Sequence, residues 1–110
     1  MKLNQDPFER IKSGKKTIEV RLFDYKRQML NLGEIMSFSK LPDLKEKISV
    51  EVMGLLRYRN FKELLDDFSM DYFGYSKDYS KEKFIEEIYK IYTKEEEKKW
   101  GVLGIKIKLI

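Results

Sequence analysis

The chain has 110 residues, 23 Lys and Arg against 19 Asp and Glu, and neither cysteine nor histidine. Its length suits one domain with its own core, since domains most often run to about 100–150 residues, and residues 1–110 are read as such a unit. Lack of cysteine excludes disulfides, thiol nucleophiles and thiolate metal sites, and lack of histidine excludes Ser-His-Asp and Cys-His catalysis and histidine-bound zinc.

Asp6-Pro7-Phe8-Glu9 reads as a helix start, with Asp6 as cap, Pro7 at the first helical position and Glu9 reaching back. The helix covers residues 7–13, with Phe8 and Ile11 on one face and Gly14 as a left-handed terminator. Strict alternation follows: Thr17, Glu19 and Arg21 on one side, Ile18, Val20 and Leu22 on the other, the pattern of a strand with one polar and one apolar face. Residues 24–30 suit a helical turn, and Leu32-Gly33 turns the chain into a second strand at 34–39. A third strand spans 48–59, where Gly54 marks a bulge or bend. Asn60 caps a helix carrying Phe61, Leu64, Leu65 and Phe68, and an aromatic loop occupies 69–79. Ser80 caps the next helix, whose apolar stripe is Phe84, Ile85, Ile88 and Ile91. Thr93 and Glu96 have capping-box spacing before a polar turn, and the chain closes on a strand alternating Ile105, Ile107 and Leu109 with Lys106 and Lys108.

The order α-β-β-β-α-α-β with short connections predicts an α+β fold, a small, mostly antiparallel, curved sheet or open barrel flanked by helices. No stretch approaches the ~20 apolar residues of a membrane span and the N-terminus lacks signal-peptide character, so a cytoplasmic protein with no membrane partner is expected. Nothing in the residue set calls for a metal or a cofactor. Acid or base chemistry would fall to Asp, Glu, Lys or Tyr in a perturbing environment.

The charge is unevenly placed. Residues 1–50 carry 11 basic and 7 acidic side chains, whereas 51–110 carry 12 of each. Within Arg10–Arg27 seven basic side chains face only Glu19 and Asp24. Such a cluster is the footprint of a phosphate or nucleic-acid partner, or else an ordinary solvated face. The segment Gly14-Lys15-Lys16-Thr17-Ile18-Glu19-Val20-Arg21 lies at its centre. Arg21 offers a fork of donors for phosphate or a base edge, Lys16 a compact positive charge, and Glu19 an acceptor that could also orient both. The alternative is that Thr17, Glu19 and Arg21 form only the solvated face of a strand.

Gly-x-Lys-x-x-Glu-x-Arg, here Gly14, Lys16, Glu19 and Arg21, resembles the signature of the ASCH domain, a member of the PUA-like superfamily. The likeness extends over Phe8–Gly14 before the motif and, after it, Leu32–Phe38, Arg57–Phe61 with Leu64-Leu65, Phe73-Gly74-Tyr75, and Gly101–Ile105. It implies a PUA-like β-barrel with helices over one opening and a cleft that binds RNA or nucleotides. Carried over, the cleft residues are Lys16, Glu19 and Arg21, with Gly14 shaping the approach and Lys15 and Thr17 alongside. A subset of ASCH proteins resembles this chain in size and acts as amidohydrolases on acylated cytidine, through the motif lysine, a threonine and a downstream glutamate. This chain keeps Lys16 but has Glu19 at the threonine's position. Other members have been associated with RNA cleavage. An enzyme reading, on a modified nucleoside or an RNA phosphodiester, would assign Lys16 and Glu19 as base and acid.

Outside the motif, Arg57 and Arg59 share a strand face and are candidates to extend the basic cleft. Tyr72, Tyr75 and Tyr79 could stack bases, whereas Phe73 and Trp100 are assigned to the core. Glu95-Glu96-Glu97 is read as a solvated helix turn.

Overall fold

A computed structural model describes all 110 residues. The elements are β1 (Lys2–Leu3), α1 (Gln5–Lys12), β2 (Ile18–Leu22), β3 (Ile35–Lys40), β4 (Lys47–Tyr58), α2 (Phe61–Asp67), α3 (Lys81–Ile88), α4 (Lys94–Trp100) and β5 (Val102–Leu109), with 3₁₀ turns at Arg27–Met29 and Met70–Tyr72. The strands form one sheet in the order β1-β3-β4-β5-β2, antiparallel throughout except for the parallel β1–β3 pair. The sheet curls into a half-barrel, the α+β, PUA-like architecture expected from the sequence. β1 and β2 are its two edges and do not pair, so a seam remains between them.

Curvature begins in β4, whose pairing with β5 shifts register between Val52 and Gly54. A Cβ on Gly54 would lie 2.9 Å from Cδ of Lys106, so only glycine lets the strands approach this closely at the bend. Asn60 caps α2 by accepting from the Glu63 amide at 2.8 Å, Ser80 caps α3, and Thr93 with Glu96 forms a complete capping box. That box opens the helix α4, where a polar turn was expected. The α1 start also differs: Asn4 occupies the cap position, Pro7 falls within the first turn, and Glu9 instead pairs with Lys40 at 2.8 Å. The two-residue β1 went unread because so short a strand has no periodicity to detect.

Two apolar clusters sit on either side of β5. Phe8, Ile11, Phe38, Val50, Leu103 and Ile105 fill the half-barrel under α1. Ile18, Phe61, Leu64, Leu65, Phe73 and Val102 pack beneath α2 and α3. Each such side chain contributes about 1.5–3 kcal/mol by leaving water. At Gly104 an added Cβ would stand 3.0 Å from Cδ1 of Leu64, so the missing side chain lets α2 lie directly on the sheet.

This double covering determines what β2 does. Ile18 and Leu22 are claimed by the helix side. Glu19 and Arg21 lie opposite Ile105 and Leu103 in the β2–β5 ladder, and cross-strand partners point to the same side, so both polar side chains turn towards the mouth of the half-barrel. The solvated-face alternative is thereby overturned: Glu19 is only 3% exposed.

Candidate functional site

The polar floor of the site is one buried ion cluster. Nζ of Lys16 lies 2.7 Å from Oε1 of Glu19, and Arg21 donates from Nε and Nη2 to Oε2 at 3.2 and 3.0 Å. The Val20 amide also donates to Oε1, at 3.2 Å. Lys16 is 8% exposed, so neither of the first two charges is solvated in the ordinary way. Burial alone would raise the Glu19 carboxyl, but Lys16 and then Arg21 outweigh it and hold the group below its ordinary value of 4.5. For Arg21, burial works downward, yet Glu19 and the neighbouring Tyr92 hydroxyl carry the balance upward. Two cations share one carboxylate, so the cluster keeps a surplus positive charge.

Its position follows from local backbone bonds. The Lys16 amide donates to the Arg10 carbonyl at 3.0 Å, and the Thr17 amide to the Tyr72 carbonyl at 2.9 Å, pinning the turn after α1 against the aromatic loop. Gly74 makes that approach possible, having φ +89° and a virtual Cβ 2.8 Å from Cδ of Arg10 and 3.1 Å from Cβ of Lys16.

The cluster opens into a cleft of 910 Å³ bounded by residues 2–7, β2, the aromatic loop and α3. Five cationic and three anionic side chains line it, among apolar ones such as Leu3, Phe84 and Ile91. On one wall the Arg10 guanidinium lies 4.1 Å over the Tyr75 ring, and Tyr75 stacks on Tyr79 with centroids 4.2 Å apart and planes 15° apart. Both phenols donate to Glu87, Tyr79 at 3.2 Å and Tyr75 at 3.4 Å. Burial raises both phenol pKa values, and Glu87 adds to the rise, so each stays a neutral donor. No group of three His, Cys, Asp or Glu side chains is arranged to hold a metal ion.

The structure brings Lys16, Glu19 and Arg21 together and distributes the other predicted residues elsewhere. Gly14 turns the chain at φ +78° with nothing within 4 Å of a virtual Cβ, so it directs the backbone and touches no part of the cleft. Lys15 and Thr17 are exposed and outside the cleft lining. Arg57 and Arg59 also stand outside it: the Arg57 guanidinium covers the Phe23 ring at 4.1 Å, and Arg59 is held by Glu63 one helical turn away. Two more members of the basic run are likewise engaged, Lys12 with Glu46 and Arg27 with Asp24. Arg10, Glu87 and Tyr92 line the cleft without having been singled out. Arg10 had a signal in the basic run; Glu87 and Tyr92 had none, because helix and loop packing alone carry them there.

A family model for the ASCH domain matches residues 1–110. The chain belongs to the ASCH domain family. Among solved structures it is similar to the crystal structure of hypothetical protein PH0355, a Pyrococcus protein, at 33% identity and TM-score 0.79 over the whole of both chains. It is also similar to the solution NMR structure of protein PF0455 from Pyrococcus furiosus, at 32% identity and TM-score 0.73, covering all of this chain and 98% of that one. No protein of curated function matches the sequence. The ASCH resemblance read from Gly14, Lys16, Glu19 and Arg21 thus agrees with a match over the full chain.

Proposed function

We propose that this ASCH domain binds single-stranded RNA or a nucleotide in the cleft floored by Lys16, Glu19 and Arg21. The observation that carries the reading is the buried two-cation, one-carboxylate cluster at the base of a cleft with an aromatic wall. A cluster with surplus positive charge in a partly dry site attracts a phosphate more strongly than the same charges on an open surface. The tyrosine wall supplies the flat surface on which bases stack. Family membership supports the same class of ligand, ASCH domains being generally RNA-binding-like.

The geometry favours binding over proton transfer. A carboxyl held below its ordinary range stays ionised at neutral pH, so Glu19 orients Lys16 and Arg21 and is a poor acid for the hydrolase alternative.

The test is a neutral cluster, Lys16→Gln/Glu19→Gln/Arg21→Gln, which removes the charges together and leaves no buried ion unpaired. Binding of short RNAs, measured by fluorescence anisotropy across a salt series, is expected to fall sharply. The slope of log K against log salt should flatten by about 0.7 for each phosphate that the variant no longer neutralises. Unchanged affinity and slope in a folded variant would rule the cleft out.

A further inference from the structure

Arg10, Tyr75 and Tyr79 form a three-layer stack, and its layers are unequally used. Arg10 covers one face of Tyr75 at 4.1 Å and Tyr79 covers the other at 4.2 Å, so Tyr75 has no free face. Tyr79 has one face on Tyr75, is only partly buried, and lines the cleft. From below, the stack is fixed by Gly74, whose missing Cβ lets Arg10 press against the loop. It is fixed laterally by Glu87, which takes both hydroxyls, and by the Phe84 ring 5.1 Å from Tyr75. Three constraints therefore hold rings that would otherwise turn freely, which removes much of the ordering cost that a ligand would meet.

The geometry points to a base-stacking subsite on the open face of Tyr79, taking one unpaired nucleobase as the fourth layer of the Arg10–Tyr75–Tyr79 stack. It rests on the binding role proposed for the cleft and adds what that role leaves open. The ligand must present a base that is free of its own stack, so single strands, loops and extruded nucleotides are accepted and continuous duplex is rejected. Stacking on an aromatic face is tolerant of base identity, so this subsite selects for an unpaired base and not for a particular sequence.

The experiment uses the full chain and short single-stranded RNAs in three forms: unmodified, carrying one abasic position, and carrying 2-aminopurine, with a matched duplex as control. For the unaltered protein, the expectation is a loss of about tenfold when the abasic position falls on the subsite, quenching of 2-aminopurine on binding, and weaker duplex binding. Tyr79→Leu should bind unmodified RNA about tenfold more weakly, lose the quenching and no longer distinguish abasic from intact RNA. Tyr79→Phe, which keeps the ring and gives up only the bond to Glu87, should retain the quenching. If the unaltered protein binds single strands in a way that the neutral cluster abolishes, yet abasic RNA binds as well as intact RNA at every position, the subsite is overturned and the cleft reading stands. If it binds no single-stranded RNA at all, the subsite falls together with the RNA arm of the cleft reading.

Discussion

Nη2 of Arg21 lies 3.3 Å from the carbonyl oxygen of Lys2, so one guanidinium spans from the β2 edge of the half-barrel to the β1 edge. The same side chain holds Glu19 through two donors, and this ties the seam of the sheet to the floor of the cleft. A lysine has one ammonium on a flexible stem and cannot make the carboxylate fork and the carbonyl bond together. Arg21→Lys is therefore expected to leave the fold intact while loosening β1. Faster amide exchange at Leu41, which donates to the Leu3 carbonyl beside β1, would register the change; unchanged exchange there would show that the seam holds without Arg21.

The Glu19 carboxyl sets an acid limb. Its folded value lies below the ordinary 4.5, so the native state is favoured while the group is ionised. That stability is fully present above the ordinary carboxylate range and is lost as pH falls through the folded value. Urea denaturation between pH 7 and pH ~2 should show the loss in the native protein. Glu19→Gln, which cannot titrate, should show a smaller loss over the same range. Glu19→Ala at neutral pH should cost about 3–5 kcal/mol, because it leaves Lys16 and Arg21 facing each other unpaired.

Glu97 predicts an alkaline limb. Its Oε2 accepts from the Phe61 amide at the start of α2 at 2.8 Å, and its Oε1 from the Tyr89 hydroxyl at 2.7 Å. Burial and then Glu97 push the Tyr89 phenol up to about 12, and burial and then Asp67 do the same for Tyr58. Groups raised in the folded state contribute stability that is whole below their ordinary value of 10 and disappears as pH rises towards 12. A titration that follows tyrosinate absorbance alongside circular dichroism should show late-ionising phenols, Tyr58 and Tyr89 the latest, coupled to unfolding. Glu97→Ala should cost about 1.5–3 kcal/mol by stranding the Phe61 amide and the Tyr89 hydroxyl.

Gly74 is the tightest backbone approach at the cleft. Gly74→Ala must accept a positive φ and push Arg10 and Lys16 away, at a cost of about 1–2 kcal/mol for the conformation alone. Chemical denaturation measures that cost. RNA binding should weaken in the same variant, because Arg10 and Lys16 both belong to the cleft.

The elements with regular patterns were legible. β2 showed in the alternation of Ile18, Val20 and Leu22, the bend of β4 in Gly54, and two helix starts in Asn60 and Ser80, whereas the capping-box spacing of Thr93 and Glu96 was read without the helix that it opens. What escaped was whatever depends on a second layer. Glu97 reads as one of three equivalent glutamates, yet it is the one that α4 turns inward onto the start of α2, leaving it 7% exposed where a solvated turn was expected. Trp100, assigned to the core, is only partly buried and meets Tyr25 edge-on at 4.5 Å. Phe73 is fully buried as expected. Alternation left the polar face of β2 open between a cleft wall and a solvated face, because it tells which residues share a side and not which side the rest of the chain will cover. Arg57 and Arg59 matched the chemistry of the cleft, but the curl of β4 carried them away from it.

β5 separates the two apolar clusters, and it is also the only strand that pairs with β2. Glu19 and Arg21 take their register from Ile105 and Leu103, more than eighty residues further along the chain. Lys16 is held from the aromatic loop, whereas the orientation of its sequence neighbours Glu19 and Arg21 is imposed by this distant strand. A fragment holding the whole motif but lacking β5 would have these residues without the strand register that sets Glu19 and Arg21 on one side.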